Sequence, residues 1–256
     1  MLELYHWEPN GNSLKVMIAL GEAGLEFRGH FVDILAFEQF RPEFLALNSA
    51  GLVPVLVKDG VAMYESNIIN EFIAESCPNK HLAPLDAKGW YETLVLAKWL
   101  DAHLAPSVST LGWHAVMVAK MKTRDPAALR KAVDAIPVPE RKAAWLAAIT
   151  DAYTEEQLAD SRRKVGLAVA RMEEILSGNE WLVGSNYSIV DMDAFAMART
   201  LPELAPEQVN GEATPGIMAW LVRVTGRPAV QAALAMRRAQ DGDRLYAPGP
   251  EHSRWG

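Results

Sequence analysis

The first residues with a potential chemical role are Asn12 and Ser13, which follow a predicted strand at the start of a predicted helix. Unpaired backbone N–H groups and the helix dipole favour an anion there. A thiolate that accepts a hydrogen bond from the Ser13 hydroxyl would be stabilised by both effects. Lowering a thiol pKa from about 8.5 by about two units requires roughly 2.7 kcal/mol, which a charge-assisted hydrogen bond and a helix N-terminus can supply together. The alternative is that Ser13 or Asn12 only caps the helix.

Two later residue pairs could bind the ends and the backbone of a peptide-like ligand. Glu65 and Ser66 lie between a predicted strand and a predicted helix. Ser66 at the helix N-terminus can receive a carboxylate and Glu65 an ammonium group, although a simple cap beside an acid is the alternative. Val53-Pro54 opens another strand. A cis bond there would leave the Val53 backbone free to pair with a ligand, whereas the alternative is a proline that only starts the strand.

A small α/β domain over residues 1–78 is predicted to position these side chains. Apolar–polar alternation indicates strands, and apolar residues three and four apart indicate helices. The predicted elements are a strand at Leu2–His6, a helix at Ser13–Gly24, a strand at Phe27–Val32, a short helix at Pro42–Leu47, strands at Val53–Lys58 and Val61–Tyr64, and a helix at Ser66–Ser76. Asp59-Gly60 is a strong β-hairpin signal between the last two strands.

The rest of the chain is predicted to be almost wholly helical. Residues 79–87 are rich in turn formers and indicate a linker, followed by an all-helical domain over 88–240. The polar tail, 241–256, is expected to be loosely held. A ligand is expected in the cleft between the two domains.

Local signals within the helical part indicate where helices begin and bend. Thr154 and Gln157 have the spacing of a capping box, and Ser188 with Asp191 forms a similar start. Pro106 is predicted to kink a long helix that continues beyond it.

Composition excludes several classes of function. Cys77 is the only cysteine of 256 residues, so an intrachain disulfide, a Cys-x-x-Cys pair and a thiolate zinc site are excluded, and any thiol chemistry must use a ligand's sulfur. The six histidines are scattered, the net charge is −7 and basic stretches are short, so neither a metal nor nucleic acid is expected as a partner. No apolar run approaches the roughly 18 to 20 residues that span a bilayer, and Glu3, His6 and Glu8 interrupt any signal-peptide core, which predicts a cytoplasmic location.

In this order the motifs resemble the glutathione transferase superfamily. The resemblance implies a thioredoxin-like N-terminal domain that binds glutathione, an all-α domain that binds the acceptor substrate, and a homodimer. It implies that a cis Pro54, with Val53, holds the glutathione backbone. Glu65 and Ser66 would then hold the γ-glutamyl end, and Ser13 with Asn12 would stabilise the thiolate.

The chain further resembles the bacterial glutathione-dependent β-etherases, in the branch that selects the S enantiomer of lignin-derived aryl ethers. The matching stretches include Asn12-Ser13-Leu14-Lys15, Gly24-Leu25-Glu26-Phe27, Ser109-Thr110-Leu111-Gly112-Trp113 and Val138-Pro139-Glu140. By this likeness Gln39 would hold the glycyl end of glutathione, and Trp113 with His114 would form a wall for the acceptor. For Trp113 core packing is the alternative, and for His114 a surface or hydrogen-bonded polar residue.

The reaction implied by this resemblance is displacement of a phenolate by glutathione thiolate at the carbon beside an aryl ketone. Where those enzymes carry glutamine-rich sequence after Val-Pro-Glu, this chain has Arg141-Lys142-Ala143-Ala144, which leaves the choice of acceptor open. The alternatives are a general glutathione S-transferase that conjugates other electrophiles and a non-catalytic glutathione-binding module, since this fold also serves as a scaffold.

Overall fold

A computed structural model describes residues 1–77, 82–84 and 86–249 of the chain. The N-terminal part contains a four-stranded sheet in the order β2-β1-β3-β4, in which β1 and β2 run parallel and the other neighbours antiparallel. Its elements are β1 Leu2–His6, α1 Gly11–Ala23, β2 Phe27–Phe31, α2 Pro42–Leu45, β3 Val55–Lys58, β4 Val61–Met63 and α3 Ser66–Ser76. The predicted β-α-β-α-β-β-α order is confirmed.

Local turn signals act as the sequence predicts. Asp59 and Gly60 have φ angles of 52° and 82°, the left-handed pair that a type I′ hairpin needs. Gly24 ends α1 with a φ of 67° and donates its backbone N–H to the carbonyls of Gly21 and Leu20. Helix α1 is buried along most of its length because α3, α9 (Ile189–Ala198) and α12 (Pro228–Ala235) all pack against it.

The C-terminal part is helical throughout its regular structure, which confirms the predicted fold class of a thioredoxin-like domain followed by an all-α domain. Its remaining helices are α4 Ala87–Gly112, α5 Val118–Met121, α6 Pro126–Asp134, α7 Pro139–Ile149, α8 Glu155–Leu176, α10 Leu201–Leu204 and α11 Pro215–Thr225. A π-helical turn, Trp113–Met117, joins α4 to α5. Pro106 lies inside α4, so this proline does not end the helix.

Both predicted capping boxes are present. Gln157 donates its backbone N–H to Thr154 Oγ1 at 3.2 Å, while Gln157 Oε1 accepts the Thr154 N–H at 2.9 Å. Asp191 at the start of α9 accepts the N–H groups of Leu182 and Ser188, both at 3.1 Å, and the Trp220 indole N–H at 2.9 Å. Burial nevertheless raises the pKa of Asp191 to about 6.

The stretch after α12 is held against the rest of the chain as far as Gly249, so its residues 241–249 differ from the loose tail predicted over 241–256. Glu8, in the loop after β1, accepts the backbone N–H groups of Arg238 and Ala239, both at 2.9 Å. Leu245 and Tyr246 are buried. We refer to residues 237–249 as the C-terminal segment. The predicted linker residues 79–81 and 85, the domain boundary at Pro78 and the tail residues 250–256 lie outside the described residues.

None of the helices in the described ranges is long and apolar enough to cross a membrane.

Candidate functional site

The start of α1 is capped by Asn10. Asn10 Oδ1 accepts the backbone N–H of Gly11 at 2.9 Å, and Asn10 Nδ2 donates to the carbonyl of Leu245 at 2.8 Å. The alternative in which Ser13 or Asn12 serves as the N-cap is therefore wrong. Both residues lie inside the first turn, so their side chains are available for another purpose.

Ser13 and Asn12 present polar groups where α1 begins. Ser13 is 3% exposed, and its Oγ accepts the Trp7 backbone N–H at 3.2 Å, so the hydroxyl hydrogen remains available to a ligand. Asn12 Oδ1 is buried and has no hydrogen-bond partner among the described residues, so Asn12 has an unused acceptor beside two amide N–H groups.

Three cavities meet at Val53, and the Val53-Pro54 peptide bond is cis, as the sequence allowed. The polar cavity has a volume of about 220 Å³ and is lined by Glu65, Ser66, Asn67 and Asp101 among others. The inner cavity, of about 40 Å³, is lined by Ser13, Trp7, Ile34 and Tyr246 among others. The side cavity, of about 30 Å³, is lined by Gln39, Arg141, Trp145 and Pro248 among others. Asn12 lines both the polar and the inner cavity.

The polar cavity contains groups that can bind an anion and groups that can bind a cation. Glu65 has a φ of 69° immediately before α3, and Ser66 at the first position of that helix is buried. A carboxylate at Ser66 would meet the N-terminus of an 11-residue helix, and an ammonium group would meet the carboxylates of Glu65 and Asp101. The cavity can therefore take both ends of a free α-amino acid. In the part of the chain that is described, no cluster of three or more residues is arranged to hold a metal ion.

A buried lysine fixes part of the polar cavity, and sequence reasoning missed it. Lys15 is 1% exposed, and its Nζ lies 2.9 Å from both Asp101 Oδ1 and Asn67 Oδ1. One signal was available, because Lys15 is a charged residue within the apolar run of α1.

Asp193 lies in the same region, where Asn70 Nδ2 donates to its Oδ1 at 2.7 Å. Burial raises the pKa of Asp193 to about 7, although the Lys15 charge acts in the opposite direction.

The inner cavity is covered by the C-terminal segment. Tyr246 packs so closely on α4 that a Cβ at Gly112 would clash with the ring. Burial raises the pKa of the Tyr246 phenol, while a hydrogen bond with Thr200 acts against that shift. Leu245 and Ala247 line the same cavity. The residues that cover the space next to Ser13 thus come from a stretch predicted to be loosely held.

The side cavity contains an aromatic residue that sequence reasoning did not single out. The ring of Trp145 lies 4.7 Å from that of Phe37, centroid to centroid, and 5.4 Å from that of Trp113. Gln39 is 3% exposed and donates through Nε2 to the Ile34 carbonyl at 3.3 Å, whereas its Oε1 is buried and has no partner in the described part of the chain. Gln39 therefore retains an acceptor for a ligand N–H.

Trp113 and His114 lie away from the three cavities. Trp113 has no exposed surface and donates its indole N–H to the Ala148 carbonyl at 3.0 Å, so the alternative of core packing describes it. The aromatic surface of the cleft is supplied instead by Trp7, Trp145 and Tyr246. His114 is partly exposed, with its Nδ1 3.0 Å from Asp151 Oδ1. It does not line the cavities described above.

Comparisons with known proteins agree with this geometry. Residues 1–75 match the family described as glutathione S-transferase, N-terminal domain, and residues 139–228 match the corresponding C-terminal domain. Protein LigF of Sphingobium sp. (strain NBRC 103272 / SYK-6) is 36% identical over 246 residues, which cover 94% of this chain and 95% of LigF.

Two solved structures resemble the fold of this chain. The crystal structure of the beta-etherase LigF from Sphingobium sp. strain SYK-6 has a TM-score of 0.85, over 91% of this chain and 98% of LigF. A glutathione transferase from Burkholderia graminis, solved with two glutathione molecules bound per subunit, is 25% identical and has a TM-score of 0.67 over 93% of this chain and 88% of its own.

Proposed function

This chain belongs to the glutathione S-transferase family, and we propose that it is a cytoplasmic, homodimeric, glutathione-dependent β-etherase. Its substrates would be lignin-derived aryl ketones that carry a β-aryl ether bond. The similarity to LigF, whose crystal structure is described as that of a beta-etherase, supports this activity. The observation that carries the proposal is the meeting of three cavities at Val53, with Ser13 and Asn12 on the wall of the inner one.

Glutathione, the proposed co-substrate, fits an extended pose across Val53. Its γ-glutamyl end would occupy the polar cavity, where the carboxylate meets Ser66 and the ammonium group meets Glu65 and Asp101. The cysteinyl backbone would pair with the backbone of Val53 beside the cis Pro54. The glycyl end would then lie towards Gln39, in the side cavity. This pose directs the thiol into the inner cavity.

The protein would activate the thiol without a nucleophile of its own. The Ser13 hydroxyl donates a hydrogen bond to the sulfur, and the Asn12 amide and the N-terminus of α1 add positive potential. These interactions favour the thiolate over the thiol, which lowers the thiol pKa and raises the fraction that can attack.

In the proposed reaction the glutathione sulfur forms a bond to the carbon beside the ketone. The bond between that carbon and the ether oxygen breaks, and its electron pair leaves with the oxygen as a phenolate, which takes a proton from water. The products are a glutathione thioether and a phenol. Attack from the side opposite the leaving group inverts the carbon, so an asymmetric cleft accepts one enantiomer.

Incubation with glutathione and a racemic β-aryl-ether ketone tests the proposal. We expect release of the phenol and the loss of one enantiomer, measured by chiral chromatography. No phenol release by a protein that binds glutathione would overturn the etherase proposal. Faster turnover of a chloroarene than of the ether would indicate a general transferase, and glutathione binding without turnover of any electrophile would indicate a binding module.

A further inference from the structure

Arg141 places a charged group on the wall of the side cavity. It is partly buried in the first turn of α7, and no hydrogen bond, ion pair or ring contact is seen for its guanidinium within the described ranges. The next residue differs, since Lys142 donates through Nζ to the Asp134 carbonyl at 2.6 Å and lies 3.7 Å from the Asp134 carboxylate. One cation of the pair thus stabilises the protein, while the other faces the cleft.

The surroundings of Arg141 favour an anion. Ile34, Leu52, Trp145 and Pro248 line the same cavity with mainly apolar groups, and a cation that lacks a counter-charge is costly in such surroundings. Arg141 also lies at the N-terminal end of an 11-residue helix, where the helix dipole disfavours a positive side chain. A bound carboxylate would interact favourably with both the guanidinium and the helix.

Gln39 provides a second and independent feature of the same cavity. Its Oε1 is buried and has no partner within the ranges that the structure describes, so it can accept an N–H from a ligand. An N–H acceptor and a guanidinium on one cavity wall match a ligand whose amide N–H is close to a carboxylate. The C-terminal glycine of a peptide has this arrangement, with one methylene group between the two.

We propose that Arg141 is a carboxylate-binding residue of this cleft. The inference rests on the proposed function, because it takes glutathione and an aryl ether as the ligands. Two sources could supply the carboxylate: the glycyl end of glutathione, or an acidic group on the acceptor. In either case the planar guanidinium binds the two carboxylate oxygens through two parallel hydrogen bonds.

Binding measured by calorimetry distinguishes the two sources without any turnover. The variants are Arg141→Met and Arg141→Lys. The control is Arg162→Met, which removes a positive charge from an exposed position on α8. One arm compares glutathione with its glycyl ethyl ester. The other uses protein saturated with S-methylglutathione, which cannot react, and compares a carboxylated aryl ether with its methyl ester. Thermal melting checks that each variant is folded.

If the glycyl carboxylate is the ligand, Arg141→Met weakens glutathione binding about ten- to a hundredfold but leaves binding of the glycyl ester unchanged. If the acceptor carries the carboxylate, the same loss is seen only for the carboxylated ether. Arg141→Lys should give an intermediate loss and Arg162→Met none. Unchanged affinities for both acids in Arg141→Met would overturn the inference. A wild type that binds glutathione but cleaves no ether would overturn only the etherase activity.

Discussion

Asn10 joins the start of α1 to the C-terminal segment, because its Nδ2 donates to the Leu245 carbonyl at 2.8 Å while its Oδ1 caps the helix. A single side chain therefore connects the loop that precedes Ser13 with the residues that cover the inner cavity. Glu8 adds two backbone hydrogen bonds to the same segment.

Asn10→Asp should release the C-terminal segment without unfolding α1. The aspartate keeps the oxygen that caps Gly11, but it replaces the donor to Leu245 with a second acceptor. We expect tryptic cleavage after Arg244 to become about tenfold faster, since the loss of a buried hydrogen bond costs about 1–3 kcal/mol. Asn210→Asp is the matched control, because Asn210 also accepts backbone N–H groups and donates to a carbonyl, but away from the cleft. Equal cleavage rates in Asn10→Asp and wild type would contradict this role.

Ser13→Ala should raise the pKa of bound glutathione by about one unit, because a charge-assisted hydrogen bond to the thiolate is lost. Turnover should fall about threefold at neutral pH, because a rise of the thiol pKa from about 6.5 to about 7.5 lowers the ionised fraction by that factor, with little change in glutathione affinity. Ultraviolet absorbance of the bound thiolate, followed against pH, measures the shift. Ser66→Ala is the comparison variant, since it should weaken glutathione binding and leave the pKa of the bound thiol unchanged. An unshifted thiol pKa in Ser13→Ala would assign activation to Asn12 and the helix N-terminus.

Asp193→Asn should gain stability relative to wild type as the pH rises. Burial raises the pKa of Asp193 to about 7 in the folded chain, well above that of an aspartate in the unfolded chain. Between about pH 4 and pH 7 the folded state therefore binds more protons, so this group makes wild-type stability fall with rising pH. An asparagine cannot ionise and can still accept from Asn70.

Urea unfolding at pH 5 and pH 8 measures the free energy of unfolding of Asp193→Asn relative to wild type. Between pH 5 and pH 8 this difference should move in favour of the variant by on the order of a few kcal/mol. Asp160→Asn provides a control whose stability difference from wild type should stay constant between pH 5 and pH 8. Hydrogen bonds from Lys164 and Arg163 lower the pKa of the exposed Asp160, so its stabilising effect is present above the unfolded pKa and is lost as the pH falls. A stability difference between Asp193→Asn and wild type that does not change with pH would show that Asp193 is not protonated near neutrality.

Tyr91→Glu should convert the proposed homodimer into monomers. Ile68 on α3 and Tyr91 and Val95 on α4 expose 55%, 66% and 40% of their surfaces, and a carboxylate among apolar groups would disfavour their burial in an interface. Val222→Glu is the control, because Val222 is 73% exposed on α11. Sedimentation velocity at several concentrations gives the mass of each variant. A monomeric wild type, or a Tyr91→Glu variant that sediments as wild type does, would contradict the dimer.

The predictions that succeeded depend on local physics. Asp59-Gly60 specifies its hairpin, and the side chains of Thr154 and Gln157 bond to the backbone three residues away, so neither signal needs knowledge of the fold. The choice between Trp113 and Trp145 depends on tertiary packing. Both are tryptophans in helices, and only the positions of the surrounding elements decide which one reaches the cleft.

Residues 241–249 of the predicted loose tail were mispredicted because their partners are remote in sequence. Their composition is typical of a loose tail, but the carbonyl of Leu245 is bound by Asn10, 235 residues earlier, and that of Gly249 by Tyr153, 96 residues earlier. Lys15 illustrates the same limit, since its two partners lie 52 and 86 residues away in the chain. An anion site at the start of α1 is a prediction that neighbouring residues alone allow, whereas the residues that line the cavity around it are not predictable in that way.

The unequal sizes of the three cavities predict the order in which the proposed substrates would bind. The polar cavity has about 220 Å³ available for glutathione, whereas the inner cavity has about 40 Å³, far below the roughly 150 Å³ of an apolar cavity that binds benzene. An aryl ether that uses the inner cavity would therefore have to displace Tyr246 and its neighbours, whereas the γ-glutamyl end of glutathione, in the polar cavity, would not. Glutathione is expected to bind first, the phenol to depart before the thioether, and the opening rate of the C-terminal segment to limit how fast successive cycles can run.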